Sequence, residues 1–428
     1  MDLEFHYDVA CPQAWLACNA VEEVAARAGA RLVWKPVLLD ALHRQVGGHE
    51  RPANRWSPAR AAMGERDLLR QAALRGVPLA QDDPLGRVDS ERAMRLIVAA
   101  PEELRPVLSH ALFEAIHVQG LDPADPETLA RLADAFGLDL ARADLPAVSE
   151  ALRNRTQEAL DRGAFDVPAF WARTPQAPAG RLWWGADRLH LVEAALRGAA
   201  GREDAPPDLQ RDGAADRPPG RAACSELEVF HDFSSPFSYL GVSQAARIAA
   251  RHQATVTWRP MLLGALFRAI GSPNVPIAEM NAARARYFLQ DLQDWAAWWG
   301  VPLRFPDCFP VRTVTALRVS LLEPRAIQPL YRALWVDGAD IGRDEVVRGV
   351  LDAHGLDPAW VDRSAAPEVK EQLRWNTERA ETLGACGAPS FLVRTVDPGG
   401  PAVPDILVWG QDRFDLVGAC LGGWRPPV

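Results

Sequence analysis

Lysine is almost missing from this chain. Of 47 basic residues only Lys35 and Lys370 are lysine, and the remainder are arginine. The bias runs through the whole length and is read as codon usage, not function. Positive charge is in deficit, with a net charge of −9. That excludes a general binder of nucleic acid or of anionic membrane, because both need basic excess. Nothing approaches the roughly 18 uninterrupted apolar residues of a membrane-spanning helix. The N-terminal "MDLEFHYDVACPQ" has two early acids, no basic segment and no long apolar run, so it does not read as a secretory signal. Six cysteines are present, at 11, 18, 224, 308, 386 and 420. None forms a C-x-x-C pair and no histidines cluster with them, which excludes a zinc site. A reducing, cytoplasmic setting is expected. What remains is an ordinary globular composition, 48% hydrophobic and 24% charged over 428 residues, long enough for two or three domains.

The chain repeats itself. At a shift of 224 residues Asp8 falls on Asp232, Pro12 on Pro236, and "WKPVLLDAL" (from Trp34) on "WRPMLLGAL" (from Trp258). At the same shift Arg60 meets Arg284, Asp67 meets Asp291, and "GVPL" meets "GVPL" from Gly76 and Gly300. Later segments align at nearby shifts: "LRNRTQEA" with "LRWNTERA", "VPAF" with "APSF", and "WGADR" with "WGQDR". Order kept over some two hundred residues is a tandem duplication. Two domains are expected at 1–200 and 225–422. Residues 201–224, rich in Pro, Gly, Asp and Arg, read as a poorly ordered linker.

Each copy opens with an alternating strand, "LEFHYDV" or "LEVFHDF". A helix with proline in its first turn follows, then a second strand. Parallel pairing is predicted for that β-α-β unit. A long helical region follows, then two short strands and a final helix starting near Asp187 or Asp412. The fold class is therefore α/β: two tandem thioredoxin-like domains, each with a large helical insertion.

That order, with Cys11-Pro12 or Ser235-Pro236 opening the first helix and Val167-Pro168 or Ala388-Pro389 before the third strand, resembles the DsbA superfamily. The second copy, "FHDFSSPFSYLG" with "APSFLV" and "WGQDRFDLV", resembles the 2-hydroxychromene-2-carboxylate isomerases and kappa-class glutathione transferases. The resemblance implies that Ser235 contacts the thiol of glutathione or a related small thiol. It also implies that Pro389 follows a cis peptide, and that Ala388 pairs with the cysteinyl backbone of the ligand. Gln411 and Asp412 would hold the γ-glutamyl ammonium, with Asn274 and Arg284 as further polar and basic contacts. A cis peptide is expected before Pro168 as well.

Physical chemistry supports the same position. Unpaired amides and the macrodipole at a helix start favour an anion, so a thiol beside Ser235 would be held as thiolate. A plain N-cap serine is the simpler reading of Ser-Pro alone. Cys11 occupies the matched position and is expected to be acidic, and the most reactive thiol in the chain. Ala14 stands where a DsbA-like resolving cysteine would be. Cys18, two helical turns on, is too distant for a disulfide. Cys386 reads as a buried apolar cysteine, His6 and His231 as structural, and Asp187 and Asp412 as N-caps. The tryptophans of "WAAWWG" read as core.

The resemblance implies a glutathione-dependent isomerase acting on conjugated or aromatic oxo-acids, with a small-molecule substrate and an intramolecular pseudo-dimer in place of two subunits. Two alternatives are a thiol–disulfide oxidoreductase using Cys11 and a catalytically degenerate tandem protein. The second is favoured by Glu50 and Met63 standing in copy one where copy two has Asn274 and Tyr287.

Overall fold

The structure, a computed structural model, describes residues 1–46, 57–80, 89–199, 224–396 and 403–426. The chain divides into two units. Unit 1 comprises Met1–Arg55, Leu68–Pro206 and Asn281–Tyr287, and unit 2 comprises Trp56–Asp67, Pro207–Met280 and Phe288–Val428. The expected linker lies outside the described residues, except Cys224, which opens a strand.

Each unit is built on a four-stranded sheet whose opening pair is parallel, as expected, and whose later pairs are antiparallel. In unit 1 the strands are β1 (Asp2–Tyr7), β2 (Arg31–Pro36), β3 (Ala169–Thr174) and β4 (Ala177–Trp184), in the order β2-β1-β3-β4. In unit 2 they are β5 (Cys224–His231), β6 (Thr255–Pro260), β7 (Ser390–Val396) and β8 (Ile406–Trp409), in the order β6-β5-β7-β8. The opening pairs are parallel, Phe5 opposite Trp34 and Val229 opposite Trp258. The later pairs are antiparallel, Phe5 opposite Phe170 and Val229 opposite Phe391.

The first strands are not half-exposed as their alternation suggests. From Leu3 to Tyr7 every residue of β1 is buried, because β1 is an inner strand. Its apolar side packs Phe5 against Trp34 and Phe170. Its polar side survives burial by ion pairing, Glu4 with Lys35 and Arg162. Strand β5 does the same more completely. Glu228 is fully buried and bonds Arg259 (2.8 Å) and Arg379 (2.9 Å). Burial pushes its carboxyl up, but the two arginines outweigh that and hold it below the usual carboxylate range.

The helices that carry the repeated Ser/Cys-Pro run over Pro12–Ala28 and Pro236–Arg251, each with proline in its first turn. Such a proline forgoes an amide that has no partner there anyway. The Pro12 helix stops at Gly29, whose φ of 65° lies in the left-handed region that glycine enters without a Cβ penalty. In each unit the final helix, Leu189–Ala199 or Phe414–Leu421, follows the last strand. Val167-Pro168 and Ala388-Pro389 are cis, as expected, and Phe309-Pro310 is a third cis bond that the sequence did not signal.

Candidate functional site

Strand β5 ends at His231 and the chain turns into the Pro236 helix. The turn is held by Asp232, whose carboxylate accepts hydrogen bonds from Ser234 N (3.0 Å), Leu263 N (2.8 Å) and the Thr313 hydroxyl (2.7 Å). Burial pushes the Asp232 carboxyl above the usual range, while these bonds pull it back. Asp8 does the equivalent work in unit 1, accepting from Ala10 N and Leu39 N, both at 2.9 Å. Sequence matching found the pair Asp8 and Asp232 and gave it no role; their place in the repeat was the available signal.

Ser235 follows as the N-cap. Its Oγ accepts from Ser238 N (3.1 Å), and its hydroxyl donates to Ala388 O (2.9 Å), the carbonyl immediately before cis-Pro389. Ser235 and Ala388 are 6% and 7% exposed. One serine thus joins the start of the first helix to the start of the third strand.

Gln411 is 1% exposed. Its Oε1 accepts from Trp299 Nε1 (3.0 Å), and its Nε2 has no hydrogen-bond partner among the described residues. Trp299 stacks on buried Trp295, so these two tryptophans of "WAAWWG" pack together. Asp412 lies 3.3 Å from Arg413 Nη1, and Arg413 also bonds both carboxylate oxygens of Asp67 at 2.9 Å. The N-cap of the final helix is Arg413, not Asp412. Asp187 likewise is no N-cap: it sits inside a short 3-10 turn, Ala186–Arg188, whose N-cap is Gly185. Asn274 is exposed, with its side chain close against Gly264. Cys386 lies in the apolar cluster of unit 2 with Ala388 and Leu407.

Arg284, which the resemblance implies as a basic contact of the ligand, belongs to unit 1. Its guanidinium lies over Phe165 (6.0 Å) and Trp184 (5.7 Å). Tyr287 joins it there, accepting from Trp184 N (2.9 Å) and donating to Trp184 O (3.2 Å). The matched residues of copy one belong to unit 2: Arg60 lies over Trp409 (5.6 Å) and Met63 packs with Cys386 and Ala388. The missing counterpart of Tyr287 in copy one is therefore no sign of degeneration in unit 1, because Tyr287 itself is part of unit 1.

Cys11 departs from expectation. It makes no cap hydrogen bond; its Sγ donates to Val167 O (3.3 Å), the carbonyl before cis-Pro168. Burial, with help from nearby Asp166, pushes the thiol up to about 12. The amides of Ala14 and Gln13 pull the other way and are outweighed. The expected acidic, reactive thiol is instead a shielded one, because a helix start favours the thiolate only where the sulfur is not also stripped of water. None of the described cysteines 11, 18, 308, 386 and 420 is in a disulfide. No group of three or more potential metal ligands occurs among the described residues.

The DSBA-like thioredoxin domain model matches residues 2–197 and again 226–421. The chain belongs to that family, twice over. Among curated proteins the DSBA-like pair is similar to a 2-hydroxychromene-2-carboxylate isomerase of Sphingobium xenophagum, 26% identical over 199 residues, 45% of this chain and 95% of the isomerase. It is also similar to glutathione S-transferase kappa 1 of Rattus norvegicus, 28% identical over 220 residues, 47% of this chain and 93% of the transferase. Among solved structures, a 2-hydroxychromene-2-carboxylate isomerase aligns with 47% of this chain and 97% of its own, at 22% identity and a TM-score of 0.39. Each relative spans about one DSBA-like copy. No helix among the described residues is long and apolar enough to cross a membrane.

Proposed function

We propose that unit 2 binds glutathione, or a similar low-molecular-weight thiol, at Ser235, and that the bound thiol serves isomerisation of a conjugated or aromatic oxo-acid. The support from outside the chain is its similarity to proteins named isomerase and glutathione transferase. The observation that carries the reading is Ser235 itself: a buried N-cap hydroxyl bonded to the carbonyl before a cis-proline. Serine cannot form a disulfide, so thiol–disulfide exchange has no protein sulfur at this position.

The residues suit such a ligand. The Ala388 carbonyl, just ahead of β7, can accept an amide of a cysteinyl unit through its second lone pair. A cysteinyl unit held there would bring its sulfur to the Ser235 hydroxyl, whose proton is already aimed at that carbonyl. The buried, unpartnered Gln411 Nε2 offers a donor to a ligand carboxylate or carbonyl, and Asp412 offers a carboxylate to an ammonium. When bound, the thiol would supply a sulfur nucleophile that adds reversibly to a conjugated double bond and leaves after rotation about the resulting single bond. The protein's own part is to hold that sulfur as thiolate at the helix start, to orient it, and to keep water from it. Cys11 does not support the oxidoreductase alternative: it is buried, its thiol is pushed up to about 12, and Ala14 replaces the resolving cysteine.

The test is the full chain with a conjugated aromatic oxo-acid, followed by ultraviolet absorbance with and without reduced glutathione. Isomerisation should require the thiol, fall with Ser235→Ala and persist with Cys11→Ala. Isomerisation lost with Cys11→Ala and kept with Ser235→Ala would reverse the assignment.

A further inference from the structure

The two copies form an internal comparison. Behind Ser235 lies a chain of buried polar groups. Ser238 N donates to Ser235 Oγ, while Ser238 Oγ accepts from Tyr331 Oη (2.9 Å) and from Asp232 N (3.3 Å). Tyr331 Oη is also 3.2 Å from His231 Nδ1. Ser238, Tyr331 and His231 are all fully buried. Burial keeps the phenol well above its usual range and pushes His231 down to about 3, so both stay neutral near neutral pH.

Copy one has the same ring geometry without this chain of hydrogen bonds. Phe113 meets Trp15 and Tyr7 just as Tyr331 meets Tyr239 and His231. Phe113 is thus the match of Tyr331, Ala14 of Ser238 and Tyr7 of His231. Tyr7 turns instead to the Ser109 hydroxyl (2.6 Å). The copy with serine at the helix start has the whole relay; the copy with cysteine has a different residue at each of its places. Packing alone does not require the polar atoms, since Phe113 and Ala14 fill the same places in unit 1.

We infer that Ser238, Tyr331 and His231 are positioning residues, a relay that fixes the direction in which Ser235 offers its hydroxyl proton; this rests on the thiol-binding reading above. Tyr331 and the Asp232 amide occupy the Ser238 oxygen and fix its side chain against the helix start. The Ser238 amide then occupies one lone pair of Ser235 Oγ. The serine proton is left to point at the Ala388 carbonyl, the place a ligand sulfur would approach. A hydrogen bond preset in this way loses little orientational freedom when the anion arrives.

The experiment uses the full chain saturated with reduced glutathione. The ionisation of the bound thiol is followed by its ultraviolet thiolate band in pH-difference spectra. Ser235→Ala should raise the apparent thiol pKa by about one unit or more, roughly a tenfold loss of thiolate. Tyr331→Phe and Ser238→Ala install the residues that copy one carries, and each should shift it the same way by about half a unit, roughly threefold. A merely structural role would lower the melting temperature and leave the bound thiol's ionisation where it was. If Ser235→Ala shifts the ionisation and the other two do not, the relay is overturned and the thiol site stands. If glutathione does not bind, or Ser235→Ala has no effect, the site reading falls and the relay with it.

Discussion

Replacing Ser235 by alanine should cost more stability than replacing Cys11, although the two hold the same position in the duplicated fold. Ser235→Ala removes an N-cap acceptor from Ser238 N (3.1 Å) and a donor from Ala388 O (2.9 Å). The cap is worth about 1 kcal/mol. A buried carbonyl left without its donor costs about 1–3 kcal/mol. The sum is roughly 2–4 kcal/mol, and it should fall on unit 2. Cys11 accepts no cap bond, and its 3.3 Å contact to Val167 O comes from a thiol, a weak donor. Cys11→Ala loses mainly the packing of one sulfur, about 1 kcal/mol. Native-state hydrogen exchange by mass spectrometry reads each unit separately through peptides of β3 and β7 and of the two proline-initiated helices. The expected result is a loss of protection in β7 and the Pro236 helix for Ser235→Ala, at least twice in free energy what Cys11→Ala causes in β3 and the Pro12 helix. Equal losses, or a larger one for Cys11→Ala, would refute the claim that the serine is the hydrogen-bonded member of the pair.

Other outcomes follow from the same structure. Alkylation at neutral pH should reach the partly exposed Cys308 well before Cys11 or Cys386, whose thiols burial pushes up to about 12; labelling of Cys11 first, read by peptide mass, would contradict its burial. His6 and His231 are pushed down to about 3, and His117 to about 4, chiefly by burial. Their folded values lie below the usual 6.5, so the unfolded chain takes up protons that the folded chain refuses. Stability is therefore full above about pH 6.5 and falls as pH drops toward 4, by about 1.4 kcal/mol per pH unit for each fully withheld proton. Urea midpoints flat between pH 7 and 5 would contradict this. Arg259→Ala should cost unit 2 about 1–3 kcal/mol by leaving buried Glu228 short of one partner while Arg379 and Arg394 remain; a change under about 0.5 kcal/mol in urea denaturation would show that the pair carries no net stability.

Much of the fold was legible because the chain states it twice. Strand and helix order and the parallel pairing of the opening strands followed from the aligned phrases, and the two cis-prolines from the family resemblance that "VPAF" and "APSF" help to carry. The misplacements have physical causes. A helix start at 58–67 or 281–287 carries no mark of the body it will pack in, so the sequence does not show that Arg284, read as a basic ligand contact of copy two, lies over Phe165 and Trp184 of unit 1. The Cys11 thiol was judged from its helix position alone, whereas burial under the rest of the unit decides its acidity. The Ser238–Tyr331–His231 relay joins residues about a hundred positions apart, and no local pattern announces a contact of that range. Asp232 was visible as a repeat match, but its bonds to Leu263 N and Thr313 need the folded chain.

The central claim is that one DSBA-like unit, the one with Ser235, holds a small thiol ligand. Calorimetric titration of reduced glutathione into the full chain tests it most directly, with Ser235→Ala and Cys11→Ala run beside the native sequence. A single site per chain is expected, weakened about tenfold or more by Ser235→Ala through loss of a hydrogen bond to a charged sulfur, and left unchanged by Cys11→Ala. No binding heat at millimolar glutathione, or a site that disappears with Cys11→Ala and survives Ser235→Ala, would contradict it.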